Sequence, residues 1–289
     1  MKFEKEIELI EALSAHFPKS KRNTLRKMLT EGRALVDGKV VHKAKHIVPV
    51  GSSVTIADRE QAAISSPPPQ PKRPHPRIKI LFEDSDILVV NKQAGLLSVA
   101  TDKMEPDTLH SRVIDYLQFD DERAWAFIVH RLDRETSGVM IFAKTKWHKE
   151  YLQEQFAERS VHRVYHALVQ GKPEKNSGTI HEWLLEDKFL RVKSVNKRTP
   201  NAREAITHWS IEDSDDIASL IMLTIETGRR HQIRVGLANI GNPVVGDEQH
   251  GAEGNPIGRI ALHATALELL HPATDDPVRF EATIPFGPE

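Results

Sequence analysis

The sequence predicts an α+β chain of two domains: a small one at the N-terminus and a large one built on a mixed, largely antiparallel sheet. Three observations carry this. At 289 residues the chain is long enough for a sizeable core and a second, smaller one. The stretch "SSPPPQPKRPHP", Ser65–Pro76, holds six prolines in twelve residues. Such a run cannot donate regularly to helix or sheet and tends to extended polyproline II, so it separates the domains. Beyond it, strand-like and helix-like segments follow one another without a regular βαβ alternation. The expected division is 1–64, a linker over 65–77, and 78–289.

In the first domain, Ile7, Ile10 and Leu13 in "EIELIEALSAHF", and Leu25, Met28 and Leu29 in "SKRNTLRKMLTEG", have helical spacing, with Ser20 placed to cap the second helix and Gly32 to end it. "RALVDGKVV", from Arg33, predicts two short strands around an Asp-Gly turn. After the linker, "IKILFEDSDILVVNK" predicts a strand, a turn and a second strand, and "AWAFIV", "GVMIFAKT", "VHRVYHALVQG" and "SLIMLTIETG" predict more. "KWHKEYLQEQFAER", from Lys146, and "RRHQIRVGLAN", from Arg229, predict helices.

Composition narrows the function classes. The absence of cysteine excludes disulfides, thiolate nucleophiles and cysteine-ligated metals, so covalent chemistry falls to oxygen and nitrogen groups. No apolar run is long enough to span a bilayer, and the acid-rich, amphipathic start "MKFEKEIELIEALSAHF" is unlike a signal peptide. A cytoplasmic monomer is expected. Net charge is −1 overall, yet residues 1–77 carry 15 Lys and Arg against 8 Asp and Glu, net +7, and the remainder 25 against 33, net −8. Basic charge concentrated at one end is the footprint of a segment that meets phosphates. Its candidate contacts are Lys19, Lys21, Arg22, Arg26 and Lys27. A solvated lysine-rich helix face would look the same by charge alone.

The chemistry-bearing residues fall in two cationic clusters. "HRLDRETSG" connects two predicted strands and places Asp133 between Arg131 and Arg134, with His130 and Thr136 nearby. Residues at the ends of sheet strands are held rigidly enough for positioned chemistry. A surface turn with Asp133 neutralised by its neighbours, or an H-x-x-D metal site, are the alternatives; with no third ligand nearby and no cysteine, the metal site is poorly supplied. The second cluster, "LTIETGRRHQIRVGLANIGNPVVGD", has Arg229, Arg230, His231 and Arg234 after a strand, and Arg230 and Arg234 are one turn apart if helical. An aspartate beside a buried arginine stays ionised and serves as nucleophile or base. Between the clusters, strand alternation sends Arg163 and Tyr165 to one face, where a ring beside a guanidinium suits a planar heterocycle or simple core packing.

"HRLDRETSGVMIFAK", "RVYHALVQG" and "LTIETGRRHQIRV", in this order, resemble the pseudouridine synthases of the RluA family, with "ILVVNKQAGLLS" upstream and "ALHATALELLHP" downstream matching its flanking motifs. The N-terminal helices and strand pair resemble an S4 RNA-binding domain. The resemblance implies a pseudouridine-synthase-like catalytic domain acting on ribosomal RNA, in preference to transfer RNA. In it Asp133 helps break the N-glycosidic bond of a uridine, Tyr165 stacks on the base and Arg234 pairs with Asp133. It implies no metal or organic cofactor. Asn91 and Lys92 in the upstream motif, with His130, Arg131, Arg134, Thr136, Arg163 and His231, are the expected substrate contacts. Departures are Arg230 for a usual threonine or lysine, Gly236 for a usual histidine, "GDEQHGAEG" without the usual tyrosine after the aspartate, and "TDDP" near Asp275. The alternative is a catalytically silent RNA-binding assembly factor.

Removing residues 1–64 leaves both clusters intact. The truncated protein is expected to keep the chemical step on saturating short RNA, but to bind large structured RNA more weakly and with a shallower dependence on salt, because fewer counterions are released. Affinity across a salt series, full-length against truncated, checks this; coincident slopes would mean the basic face is only solvated.

Overall fold

The computed structural model describes residues 3, 5–18, 20, 22–30, 32–57, 78–101 and 103–287. Lys19, Lys21 and the proline-rich stretch lie outside these. The chain divides into two compact units, one of 1–73 with 270–276, the other of 74–269 with 277–289. Among the described residues no helix is long and apolar enough to cross a membrane.

The first unit contains β1 (Ile7–Glu8), α1 (Leu9–His16), α2 (Arg22–Thr30), β2 (Ala34–Val36), β3 (Lys39–Val40), β4 (Ile47–Val48) and β5 (Val54–Ile56). Both predicted helices form, and their apolar stripes meet: Leu9, Ile10, Leu13, Leu25 and Leu29 are buried with Ala34, Val36, Val48 and Val54. The Asp-Gly hairpin forms between β2 and β3, with Asp37 and Gly38 both at positive φ, 48° and 77°, as a two-residue hairpin turn requires. Arg22, Arg26 and Lys27 lie on α2.

The second unit is one eleven-stranded sheet. Its strands are β6 (Lys79–Glu83), β7 (Ile87–Lys92), β8 (Phe127–Ile128), β9 (Ser137–Ala143), β10 (His162–Gln170), β11 (Ser177–Glu186), β12 (Val192–Val195), β13 (Arg203–Ser214), β14 (Ala218–Ile225), β15 (Leu262–Leu270) and β16 (Pro277–Glu281). They run in the order β12-β11-β13-β14-β10-β15-β9-β7-β6, with β16 beside β15 and β8 beside β9. Along that order pairing is antiparallel except between β15 and β9. The helices are α3 (Leu109–Gln118), α4 (Lys146–Ala157) and α5 (Gln232–Asn239).

Central strands are apolar throughout because both faces are covered. In β7, Leu88 and Val90 face a cluster with Leu109, Val113 and Tyr116 of α3, while Ile87 and Val89 face one with Leu152 and Phe156 of α4. In β9 the same alternation sends Met140 and Phe142 one way, Val139 and Ile141 the other. "AWAFIV" forms only the two-residue β8, paired with Phe142 and Ala143. The chain then leaves the sheet and loops back to β9. The predicted helix from Arg229 begins at Gln232, so Arg230 precedes α5 and does not share a helical face with Arg234.

The loop between β8 and β9 is held from behind. Lys92, with none of its surface exposed, donates to the carbonyls of Leu96 (2.7 Å), Arg134 (3.0 Å) and Gln93 (3.1 Å). Ser98 Oγ donates to the Leu132 carbonyl (2.6 Å) and accepts from the Leu132 N–H (3.2 Å). Gly138, at φ 120°, lets β9 approach β15 so closely that a Cβ there would stand 2.1 Å from the Ala264 oxygen. Burial pulls the Lys92 ammonium down to about 7, against the opposing pull of Glu135 and Asp133.

Two outcomes are expected. Gly138→Ala destabilises by about 3 kcal/mol or more, because backbone must move; Gly254→Ala, at φ 77° with open space around it, costs about 1 kcal/mol of backbone strain. Urea midpoints measure both, and equal costs would contradict the close approach. For Lys92, the folded pKa lies below the 10.5 of a free lysine, so between about 7 and 10.5 the unfolded state binds the extra proton and stability rises with pH. Wild type minus Lys92→Met, followed by urea unfolding, is expected to climb over that window by at most about 1.4 kcal/mol per pH unit and to be flat below it. A flat difference throughout would mean that Lys92 stays charged.

Candidate active site

Three strands bring the clusters together. Across β9, β15, β10 and β14 the residues Gly138, Ala264, Tyr165 and Leu223 are successive Cα partners, so the loop entering β9, the start of β10 and the exit of β14 meet at one end of the sheet. The register of β10 against β15 shifts between Val164 and Tyr165. Arg163 and Tyr165 nonetheless line the same cleft, as alternation predicts. That cleft, of about 640 Å³, is lined by His130, Arg131, Asp133, Thr136, Arg163, Tyr165, His231 and Arg234 among others.

Asp133 is half-buried. Its Oδ2 accepts from the His231 backbone N–H at 3.3 Å, and its carbonyl accepts from the Thr136 N–H at 3.2 Å, closing the turn that aims the carboxylate. Arg131 is exposed at the rim. Tyr165 is 9% exposed, and burial raises the pKa of its phenol, so the hydroxyl keeps its proton.

His130 is neutral. Burial and the Arg163 charge push it down to about 3. The Ile141 N–H donates to its Nε2, which puts the ring proton on Nδ1. The ring stacks on Phe156, centroids 4.9 Å apart. With Nε2 so engaged, the H-x-x-D metal alternative loses a ligand atom. Arg163 lies over the other part of this wall, its guanidinium 5.7 Å from the Phe156 centroid and Nη2 donating to the carbonyls of Ile225 (3.2 Å) and Glu226 (3.0 Å). Its Nε is buried without a partner among the described residues. Gly228 leaves it room: a Cβ there would sit 2.9 Å from Arg163 Nη1.

The structure corrects three expectations. Arg234 does not pair with Asp133; it makes two 2.6 Å bonds to Asp247, and both side chains are buried. A two-pronged pair of this kind satisfies both ions, and Asp133 is left to a backbone N–H. Lys92 spends three donors on carbonyls and, with Asn91, lines a separate cavity, so neither faces the cleft. Arg134 points away, its Nε donating to the Gly95 carbonyl at 3.0 Å.

Residues that sequence reasoning missed hold the site in place. Gln232 accepts from Thr227 Oγ1 (2.7 Å) and the Arg229 N–H (3.1 Å), and donates to the Ile206 carbonyl and Thr207 Oγ1. Asp247 and Ser98 belong to stretches quoted above; for Ser98, its place as a single polar residue within the apolar run "LLSVA" was the available signal.

Comparison with known proteins agrees with this architecture. A family model described as RNA pseudouridylate synthase matches residues 86–239. The chain is 34% identical over 241 residues to the uncharacterized RNA pseudouridine synthase YhcT of Bacillus subtilis (strain 168), covering 83% of this chain and 78% of the relative. It is 33% identical over 293 residues to the ribosomal large subunit pseudouridine synthase D of Escherichia coli (strain K12), covering 96% and 87%. The solved structure of human RNA pseudouridylate synthase domain containing 1 matches with a TM-score of 0.60 at 25% identity, over 77% of this chain and 88% of that one. The family match runs from the start of β7 through the Asp133 loop and Tyr165 to the end of α5, and the relatives extend it along most of the sequence; the chain belongs to the RNA pseudouridylate synthase family, as its resemblance to the RluA enzymes implies.

Proposed function

We propose that the protein isomerises uridine to pseudouridine in ribosomal RNA, with Asp133 as the reacting carboxylate. The observation that carries this is the placement of Asp133. Of the two carboxylates on the loop that enters β9, Asp133 and Glu135, Asp133 is the one that lines the cleft walled by Tyr165, His130 and Arg163, and it is held by a backbone N–H instead of an arginine. A carboxylate in that setting is free to attack or to stabilise charge at the sugar while the base is detached. Tyr165, protonated and lining the cleft, is the surface on which the base stacks.

A uridine inside a helix offers neither reacting carbon to a carboxylate, so the nucleotide must leave its stack at a cost of a few kcal/mol. Arg131, exposed beside Asp133, is placed to occupy the vacated space or a flanking phosphate. Residues 1–64 act as an S4-like RNA-binding module, supported by the basic segment and by two helices on a small sheet. A ribosomal target is read from the relative named for the large subunit. The protein would act as a monomer in the cytoplasm.

The test is complementation of a strain lacking the gene with wild type or Asp133→Asn, followed by pseudouridine mapping in ribosomal and transfer RNA. Asp133→Asn is nearly isosteric and uncharged; it is expected to bind RNA and to restore no site, while wild type restores ribosomal ones. Turnover by the asparagine variant would overturn the assignment, and restoration confined to transfer RNA would overturn the substrate.

A further inference from the structure

The His231 N–H reaches Asp133 Oδ2 at 3.3 Å, the long end for such a bond, so its aim depends on the orientation of one peptide. That peptide is unusual. His231 precedes α5 as its N-cap in the left-handed region, φ 52° and ψ 17°, a conformation uncommon for residues other than glycine and maintained here with the help of its surroundings. As an N-cap amide, its N–H is left without a helical acceptor and can point at an anion.

The His231 ring meets a second histidine. His231 Nδ1 and His250 Nε2 are 3.0 Å apart, and the rings meet edge to face at 5.2 Å. His231 is 8% exposed, so little water can replace this partner. His250 ends the single 3-10 turn Glu248–His250 and is itself fixed: its N–H donates to the Asp247 carbonyl at 3.0 Å, and the Ala252 N–H donates to the same carbonyl at 3.1 Å. Asp247 in turn grips Arg234. The start of α5 is therefore tied to this turn twice. His250 does not line the cleft; its hydrogen-bonded connection to Asp133 runs through His231.

We propose that His250 is a positioning residue for the isomerisation: its ring holds His231 in the left-handed conformation, and the His231 N–H thereby orients Asp133. This rests on Asp133 being the reacting carboxylate. Between two neutral imidazoles one nitrogen donates and the other accepts. A phenol hydroxyl can donate to His231 Nδ1 in the same way, so a tyrosine at this position would preserve the contact.

The experiment compares full-length wild type, His250→Phe, His250→Tyr and Asp133→Asn for kcat and KM on RNA and for thermal midpoint. His250→Phe keeps a ring and removes the bond; its kcat is expected to fall by about tenfold to hundredfold, the scale of a misplaced reacting group, with KM changed by less than about twofold. His250→Tyr is expected to recover most of the lost kcat. If the phenylalanine variant does not fold, His250→Gln, whose amide can donate to Nδ1, takes the place of tyrosine and His250→Ala that of phenylalanine. Unchanged kcat in the bond-deleting variant, or no recovery in the bond-restoring one at equal thermal midpoint, overturns the positioning role. An active Asp133→Asn overturns the reading of Asp133 and this proposal with it; an inactive one beside an unimpaired His250→Phe overturns the proposal alone.

Discussion

A single ammonium group, that of Lys92, ties together the two segments on which the site depends. It has no exposed surface and, among the described residues, no carboxylate in contact; its three donors end on the carbonyls of Gln93, Leu96 and Arg134. Burying a cation this way is unfavourable unless every donor is used, and here two loops must stay in register for that to hold. Ser98 adds two further bonds at Leu132. The carboxylate of Asp133 thus projects from a turn fixed at the residue before it and the residue after it. Rigid support behind a reacting group is what lets a loop perform positioned chemistry.

The second requirement is close backbone approach. Gly138 follows Thr136 and Ser137 in "TSG" because β9 and β15 are in van der Waals contact at Ala264. Ser137 Oγ lies 2.7 Å from His263 Nδ1 and accepts from Arg259 Nη2 at 2.7 Å. The polar residues of the motif are thus divided: Asp133 faces the cleft while Ser137 fastens the sheet beneath it. On the far side of the cleft, the buried Arg234–Asp247 pair fixes α5. Removing either partner alone would leave an uncompensated charge, at a cost of about 3–5 kcal/mol.

How much of this was legible follows from the kind of signal each element carries. The helices α1 and α2, the Asp-Gly hairpin and the strands β7, β9, β10 and β14 have periodic or uniformly apolar sequences, and they formed. The strands β11, β12 and β13 carry mixed sequences such as "REAITHWSIEDS", with no uniformly apolar run to announce them, although hairpins join β11 to β12 and β13 to β14. The helix α3 was hidden for a similar reason: its start is marked by a Thr108–Ser111 capping box without the usual acid. The cationic clusters were visible, but their pairings were not. Charge counts show that Arg234 needs an anion, and two aspartates were on offer. Only the fold reveals that Asp247 is the buried one and that Asp133 is left for the substrate side.

Charge placement then links the site to its partner. The segment 78–289 carries a net −8, which repels a phosphate backbone at long range. The cleft lining reverses this, with six arginines, at 131, 159, 163, 229, 230 and 234, against the carboxylates of Asp133, Glu186 and Glu226. Several of these cations are already committed, Arg230 to Glu186 and Arg234 to Asp247, so what an incoming strand meets is mainly Arg131 at the rim and the local field of the rest. An acidic body with a positive cleft focuses anionic ligands on one entrance, and the neutral walls of His130, Phe156 and Tyr165 inside it suit a base better than a phosphate.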